Sequence, residues 1–367
     1  MQGYWINGSS ADPASDSWDW SADPLQRAML LKAQSRGANL LELFSNSPLW
    51  WMCNNHNPSG ADNGADDNLQ SSNYNQHAVY LATIAQYASK NWGVNFTSVE
   101  PFNEPRSTWW NAKGKQEGCH FGTNSQAAVI ASLRTELDKR GLASVKVSAS
   151  DENTYDLART TWQSFTPTMR AQIGRVNTHG YQYSRGRRDL LYRAVAGKKL
   201  WNSEYGEGDT SGLSLAINLN LDFALLHPTA WCYWQPFDLG GWGLINAYLS
   251  SKRIGAANPK YFVLAQYSRH IRPGMTLLQS DDTNSVAAYD PTQRKLVIVT
   301  VNCGSVQSIS YNLSNFAHVA GPIQCWTTET RGTNEYVPSK ISLRGDKTFS
   351  ADFPKKTVKT FEILNVD

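Results

Sequence analysis

The stretch Ser98-Val99-Glu100-Pro101-Phe102-Asn103-Glu104-Pro105 decides the fold, because it has the pattern of a buried strand that carries a carboxylate at its end. Apolar and β-branched residues up to Val99 predict the strand, and the proline after Glu104 predicts that it stops there. The stretch Lys199-Leu200-Trp201-Asn202-Ser203-Glu204-Tyr205-Gly206 repeats the pattern with Glu204. Two glutamates at the ends of predicted buried strands indicate chemistry by paired carboxylates.

Length and composition exclude several classes of protein. A chain of 367 residues can form one large domain and a smaller one. Its 34 basic and 31 acidic side chains leave a charge of +3, which is too small to indicate binding to nucleic acid or to an anionic membrane. No apolar run could cross a bilayer, and the polar residues 1–20 predict no secretory signal peptide in the chain as written. The 14 Trp and 16 Tyr suit either a large core or a cleft that stacks on sugar rings.

Strand and helix patterns alternate over the first part of the chain and predict an α/β fold with a parallel sheet. An open doubly wound sheet and a closed (β/α)8 barrel both fit this alternation. Polar and aromatic residues follow every predicted strand and no glycine-rich phosphate loop is present, so we predict the TIM barrel. Because about six of the eight strand–helix units of such a barrel can be found, we expect the catalytic domain, residues 1–272, to be incomplete at its N-terminal end.

From residue 273 onward the pattern changes to short alternating strands that are separated by turns. We therefore predict a small all-β sandwich domain over residues 273–367. Its predicted strands are Ser285–Tyr289, Lys295–Asn302, Ser308–Leu313, Gln324–Thr328 and Thr357–Leu364.

The five cysteines leave at least one thiol unpaired whatever disulfides form. Cys53 could pair with Cys119, and Cys303 with Cys325, while Cys232 falls in a predicted buried strand. No spacing of Cys and His indicates a zinc site. We expect neither a metal nor a cofactor.

Glu104 and Glu204 end the second and the fifth predicted strands, and rim positions three strands apart can face each other across a barrel. A glycosidase that retains configuration needs two carboxyl groups about 5–5.5 Å apart. A single glutamate at a strand end is more often a solvated rim residue, but the pair, with Asn103 beside it and aromatic residues around it, favours glycoside hydrolysis. The competing carboxylates are Glu100, Glu152 and Glu207.

Motifs spread over nearly the whole chain resemble those of glycoside hydrolase family 30, a family of retaining (β/α)8 enzymes with an appended β-sandwich. They are Phe44-Ser-Asn-Ser-Pro-Leu-Trp-Trp-Met52, Val99-Glu-Pro-Phe-Asn-Glu-Pro105, His179-Gly-Tyr181, Leu200-Trp-Asn-Ser-Glu-Tyr205 and Trp231-Cys-Tyr-Trp-Gln235. Two further stretches, Gly3-Tyr-Trp-Ile-Asn7 and Gln116-Glu-Gly-Cys-His120, are most similar to the fungal endo-β-1,6-galactanases of that family.

The resemblance implies an enzyme in which Glu204 is the nucleophile and Glu104 is the acid/base. It further implies a set of substrate-binding residues, namely Asn46, Trp51, Asn103, His179, Tyr181 and Trp234. The substrate it implies is β-1,6-linked galactan, as in the side chains of arabinogalactan. The expected protein is a secreted monomer that binds polysaccharide and needs no protein partner.

Other interpretations stay open. The chain could have another family-30 specificity, such as that of a β-1,6-glucanase, a xylanase or a glucosylceramidase. It could also be a carbohydrate-binding protein without catalysis, or an inactive fragment, because strands of the barrel are missing. The glycosidic linkage that is cleaved, and the choice between endo and exo action, stay open at the level of the sequence.

Overall fold

The computed structural model describes residues 3–248 and 250–367, and these form two compact units. The units consist, in turn, of residues 3–182, 186–204 and 229–231, and of residues 183–185, 205–228, 232–248 and 250–367. Compact units are not necessarily domains that fold independently. The domain boundary expected at residue 272 therefore stays a prediction.

A six-stranded sheet forms the centre of the first unit. Its strands lie side by side in chain order and the first five pair in parallel, as in the wall of a barrel. A doubly wound sheet would instead reverse its strand order at a switch point, so the barrel-type prediction is confirmed. The strands are β1 Glu42–Phe44, β2 Ser98–Glu100, β3 Lys146–Glu152, β4 Ile173–His179, β5 Lys199–Tyr205 and β6 Ala230–Tyr233.

Helices follow the strands as the sequence predicts, and local signals fix several of their ends. Pro24 occupies the first turn of the first helix, where no intrahelical N–H bond is lost. The side chain of Thr154 caps another helix by accepting a hydrogen bond from the backbone N–H of Leu157 at 3.3 Å. The helices are α1 Pro24–Ser35, α2 Tyr74–Tyr87, α3 Thr123–Lys139, α4 Tyr155–Ser164, α5 Pro167–Gln172 and α6 Arg188–Ala194.

A polar network lies among the strands of the parallel sheet, and we call it the strand-core network. The carboxylate of Glu42 accepts hydrogen bonds from Ser98, Ser148 and Arg175, and from Asn177 Nδ2 at 2.8 Å. Arg175 also donates from Nε to Asn177 Oδ1 at 3.1 Å. Both oxygens of Glu42 thus have donors, which offsets the cost of removing a charge from water.

The second unit contains two helices and a small sheet ahead of the predicted sandwich. The helices are α7 Leu213–Leu221 and α8 Pro259–Ser268. The sheet was not predicted from the sequence, because its strands are short and half exposed and carry no clear alternation. Its strands are β7 Phe237–Asp238, β8 Ile245–Tyr248 and β9 Arg253–Ala257.

The C-terminal residues form a six-stranded and a two-stranded sheet that share one apolar core. The rings of Phe349 and Phe361, one from each sheet, meet edge to face at 5.2 Å between centroids. The predicted sandwich is therefore present, with three strands, β10, β15 and β16, beyond those predicted. The strands are β10 Thr276–Leu278, β11 Ser285–Asp290, β12 Lys295–Asn302, β13 Gln307–Asn312, β14 Ala320–Glu329, β15 Val337–Ile341, β16 Thr348–Phe353 and β17 Thr357–Leu364.

Helix α8 packs on this C-terminal sheet through buried polar contacts. Gln266 Nε2 donates to Thr328 Oγ1 at 2.8 Å, and the hydroxyl of Thr360 donates to the carbonyl of Gln266 at 2.9 Å. Just beyond the helix, the ring of His270 contacts Glu362 at 2.8 Å and Tyr336 at 2.7 Å. These contacts place the helix and the sheet in one compact unit.

None of the five cysteines forms a disulfide, so the two pairings considered above are absent. Cys53 donates its thiol hydrogen to the carbonyl of Leu49 at 3.5 Å instead of bonding to Cys119. Cys325 is buried while Cys303 is exposed. Cys232 is exposed rather than buried, because β6 lies at the edge of its sheet. Within residues 3–248 and 250–367, no helix is long and apolar enough to cross a membrane.

Candidate active site

Glu104 lies in the turn after β2 and is almost fully buried. Its backbone has a left-handed conformation with φ of 47°, which is uncommon for a residue with a long side chain. The backbone N–H of Glu104 donates to the carbonyl of Asp151 at 2.9 Å, and this bond stabilises the turn. The neighbouring Asn103 is also buried, and its side-chain Oδ1 has no hydrogen-bond partner in the described part of the chain.

Glu204 lies on β5, opposite His179 at the end of β4. The ring Nδ1 of His179 is 3.0 Å from Glu104 Oε1 and 3.6 Å from Glu204 Oε1. One oxygen of each glutamate therefore lies within 4.8 Å of the other. The parallel strands thus bring together two carboxylates that are separated by 100 positions in the sequence.

Glu104 has a second hydrogen-bond donor besides His179, and Glu204 has one donor of its own. The phenol of Tyr181 donates to Glu204 Oε1 at 2.8 Å, and Asn153 Nδ2 donates to Glu104 Oε1 at 2.7 Å. We call Glu104, His179, Tyr181 and Glu204 the rim cluster. In the described residues, neither Glu104 Oε2 nor Glu204 Oε2 receives a hydrogen bond, so each carboxylate keeps one oxygen available to a substrate.

The charge of His179 follows from its surroundings. Its ring is fully buried, and burial alone would favour the neutral form. The charge of Glu204, the hydrogen bond to Glu104 and the charge of Asp151 outweigh burial and raise the pKa of His179 to about 9. With this pKa the ring is a cation at neutral pH, and its Nδ1 donates a hydrogen bond to Glu104 while it interacts with Glu204 by charge alone.

Three side chains near the rim cluster were not predicted as site residues. Asn153 contacts Glu104 directly, Asp151 Oδ1 is 3.7 Å from His179 Nε2, and Ser203 donates its hydroxyl hydrogen to Asp151. Asp151 and Asn153 belong to a polar run directly after the strand that the sequence predicts over Val145–Ser150, which is a usable signal. Ser203 gives none, because a serine inside a strand has no distinguishing pattern.

The remaining predicted site residues are spread more widely. Asn46 is half-buried and lines a cavity of about 690 Å³ within the first unit. Trp51 packs edge to face on Trp5 at 4.9 Å between ring centroids and donates from Nε1 to the carbonyl of Trp5 at 3.2 Å. Its contacts are thus those of an aromatic packing residue. Trp234 follows β6 in the second unit and is 39% exposed.

The competing carboxylates have other surroundings. Burial raises the pKa of Glu100 well above its usual range, and both its oxygens lack partners in the described residues. Glu152 accepts hydrogen bonds from Thr161 at 2.7 Å and from Gln126 at 3.4 Å. Glu207 lies in the second unit. Of the glutamates considered from the sequence, Glu104 and Glu204 are the two that share His179.

The rim cluster also brings three potential metal-ligand atoms, from Glu104, His179 and Glu204, within 4.8 Å of one another. A metal site needs a neutral imidazole with a free lone pair. In this structure His179 Nδ1 is instead engaged in the 3.0 Å hydrogen bond with Glu104 Oε1. The expectation that no metal takes part stays a prediction.

Comparisons with known proteins assign the chain to a family. A family model described as O-glycosyl hydrolase family 30 matches residues 7–176. An endo-beta-1,6-galactanase of Hypocrea rufa is 53% identical over 372 residues, covering 100% of this chain and 77% of that protein.

Solved structures share the fold. The catalytic domain of the family-30 xylanase C of Talaromyces cellulolyticus superposes with a TM-score of 0.77 at 19% identity, covering 99% of this chain and 85% of that one. A family-30 subfamily 8 xylanase of Clostridium acetobutylicum superposes with a TM-score of 0.73 at 22% identity, covering 94% of this chain and 85% of that one. At these identities the match establishes the barrel-type fold with its β domain.

Proposed function

Because the chain belongs to glycoside hydrolase family 30 and is an O-glycosyl hydrolase, we propose that it cleaves β-1,6-linked galactan with retention of configuration. The substrate is inferred from the galactanase of Hypocrea rufa, which is 53% identical. The side chains of arabinogalactan offer this linkage. Such a polymer lies outside the cell, so we infer that the protein is secreted.

The observation that carries the mechanism is the pair of carboxylates around one imidazolium. An oxygen of Glu104 lies within 4.8 Å of an oxygen of Glu204. Retaining glycosidases place their carboxyl groups about 5–5.5 Å apart, whereas inverting enzymes need about 6.5–9.5 Å to admit a water molecule. The short separation supports double displacement through a covalent glycosyl-enzyme.

Glu204 is proposed as the nucleophile. It must be ionised to attack the anomeric carbon, and both of its neighbours favour the ionised form. Tyr181 donates to its Oε1 at 2.8 Å, and the cationic ring of His179 lies 3.6 Å away. Because these neighbours lie beside Oε1, Oε2 is the oxygen free to form the bond to the sugar.

Glu104 is proposed as the acid/base. Asn153 and His179 both donate to its Oε1, so the proton that passes to the leaving oxygen sits on Oε2. After the leaving group departs, the same oxygen removes a proton from water. The unpartnered Oδ1 of Asn103 supports its role as acceptor for the 2-hydroxyl of the sugar. Asn46, Trp51 and Trp234 remain proposed contacts of the substrate.

The test is hydrolysis of a panel of β-1,6-galactan, β-1,6-glucan and glucuronoxylan, with NMR detection of the first anomer released. We expect cleavage of the galactan and initial formation of the β-anomer. Release of the α-anomer first, or cleavage of xylan in preference to galactan, would contradict the proposal.

Rescue of activity by azide distinguishes the acid/base from the nucleophile. With an activated aryl glycoside, azide should restore turnover to Glu104→Gln and yield a β-glycosyl azide, because the intermediate on Glu204 still forms. Azide should not yield that β-product with Glu204→Gln. The matched control is Glu335→Gln, which changes an exposed glutamate in the same way and should behave as the unmodified protein. Exchanged behaviour of the first two variants would reverse the assignment.

A further inference from the structure

We propose that Asp151 is a positioning residue that keeps His179 oriented and charged between Glu104 and Glu204. This inference rests on the proposed function of the rim cluster and extends it to a carboxylate outside that cluster. Asp151 contacts Glu104 and His179 directly, and it is connected to Glu204 through the neighbouring Ser203.

The backbone at Asp151 departs from regular strand geometry. In the pairing of β3 with β4, Ser150 lies opposite Asn177 and Glu152 opposite Thr178, so Asp151 is an extra residue without a partner position. Its φ is 52°, in the left-handed region. Such a conformation costs free energy for most residues, and Asp and Asn tolerate it best after glycine. The irregularity turns both the carbonyl and the side chain of Asp151 toward the rim cluster.

The carbonyl of Asp151 fixes the backbone of Glu104. It accepts the N–H of Glu104 at 2.9 Å, and Glu104 itself has a left-handed φ of 47°. Two strained residues therefore stabilise each other, which is a pattern that occurs where the surrounding structure holds a functional side chain in place.

The carboxylate of Asp151 connects to β5 through a second irregularity. In the pairing of β4 with β5, Thr178 lies opposite Asn202 and His179 opposite Glu204, so Ser203 is the extra residue. The hydroxyl of Ser203 donates to Asp151 Oδ1, and it also lies 3.1 Å from the carbonyl of Thr178. The residue next to Glu204 is thus tied to Asp151 across the strand that carries His179.

The same oxygen of Asp151 faces the far side of the imidazole. Oδ1 lies 3.7 Å from His179 Nε2, and Nε2 has no hydrogen-bond partner in the part of the chain that the structure describes. The distance is too long for a hydrogen bond but short enough for a strong charge interaction in a buried site. Asp151 therefore stabilises the proton on Nε2, while Nδ1 donates to Glu104.

Other charged groups also face this site and must be considered in any titration. Burial raises the pKa of Asp151 above its usual range, and the positive charge of His179 acts in the opposite direction. The groups that act on Asp151 or His179, from β1, β4 and β5 and the turn after β2, are Glu42, Glu104, His179 and Glu204, and Glu100 of β2 faces Asp151 as well.

The experiment compares Asp151→Asn with Glu152→Gln in the full chain. Asn keeps the shape and tolerates the left-handed backbone, so this variant removes mainly the charge. Glu152 is the adjacent buried carboxyl but bonds to Thr161 and Gln126, away from His179. NMR of ¹⁵N-labelled histidine, with His179 assigned by its substitution with Gln, follows the titration of the ring.

We expect the pKa of His179 to fall by about one unit or more in Asp151→Asn, which is a tenfold loss of proton affinity. The alkaline limb of the pH profile of kcat should move to lower pH by a similar amount, with KM nearly unchanged. Glu152→Gln should leave both unchanged. If Asp151→Asn does not fold, Asp151→Gly removes the same carboxylate at a backbone conformation that glycine adopts freely.

An unchanged titration of His179 in a folded Asp151 variant would overturn the proposal. The titration needs no substrate, so it is independent of the proposed function. A shifted titration in a protein that does not cleave galactan would leave the role of Asp151 intact and reject the proposed substrate. Cleavage of galactan together with an unshifted titration of His179 would support the proposed substrate and reject the role of Asp151.

Discussion

Two regions of the first unit, the strand-core network and the rim cluster, each combine carboxylates with a buried cation, yet their hydrogen bonding differs. In the strand-core network Glu42 accepts from four side chains, and its cation is Arg175, which does not lose its proton. In the rim cluster the cation is His179, which can titrate, and Glu104 and Glu204 each keep an oxygen without a donor. A carboxylate with all its donors in place stabilises the fold, and one with an open oxygen can react.

The largest expected effect is a loss of activity in a variant that disrupts the rim cluster alone. Glu204→Gln removes the proposed nucleophile, so kcat on galactan should fall on the order of 10⁴-fold or more, while urea unfolding stays close to that of the unmodified protein. Steady-state rates and urea curves on the same preparation test this. A loss of stability as large as the loss of activity would remove the contrast between the two regions.

The next largest effect is a loss of stability in a variant that disrupts the strand-core network alone. Arg175→Met leaves the carboxylate of Glu42 buried without its cation, and the free energy of unfolding should fall by about 3–5 kcal/mol. The double variant Glu42→Met/Arg175→Met removes both charges and should recover part of that loss. Urea unfolding measures stability, and kcat per folded molecule should remain within a few-fold of the original value. A double variant less stable than Arg175→Met would contradict the expected compensation.

A third expectation concerns pH, because only the rim cluster has a cation that titrates near neutrality. The pKa of His179 is raised from its ordinary 6.5 to about 9, so the folded state binds the proton more tightly than the unfolded state. Its stabilising contribution is complete below pH 6.5 and disappears as the pH rises through about 9. Urea unfolding between these limits should show falling stability.

That slope should be reduced in His179→Gln and retained in His318→Gln, which changes an exposed histidine. The raised pKa of Asp151 also lowers stability as the pH rises, but it does so from more acidic conditions upward. The comparison of the two histidine variants therefore isolates the ring in the rim cluster. Equal slopes in both would show that His179 is not charged in the folded protein.

The smallest expected effect sharpens the comparison at one hydrogen bond. Asn153→Ala removes the 2.7 Å bond to Glu104 Oε1, and kcat should fall about 10- to 100-fold, as expected for a hydrogen bond to a group that is ionised when it acts as the base. KM should change little. The control Asn91→Ala removes an exposed amide that bonds to the carbonyl of Tyr87, and it should leave kcat unchanged. Equal activity of the two variants would exclude Asn153 from the site.

The parts of the site that follow parallel strands could be predicted from the sequence. Glu104, His179 and Glu204 each come at the end of an apolar run, and the carboxyl ends of parallel strands meet at one edge of the sheet. The alternation of strands and helices likewise predicted the barrel-type sheet, and the later change to short alternating strands predicted the sandwich.

The irregular parts could not be predicted. An extra residue in a strand, such as Asp151 or Ser203, depends on pairing with the next strand, and the period of the sequence does not reveal it. The bond from the ring of Trp51 to Trp5, 46 positions earlier, was likewise not predicted. Such long-range packing has no local signal.

The attachment of helix α8 to the C-terminal sheet bears on how this protein could be recombined with its relatives. Gln266, His270 and their partners Thr328 and Glu362 form one polar interface inside the second unit. A chimera joined at residue 272 would combine a helix from one parent with a sheet from another and would have to reproduce each of these hydrogen bonds. The sheet is therefore better exchanged together with α8, so the productive crossover point lies before Pro259.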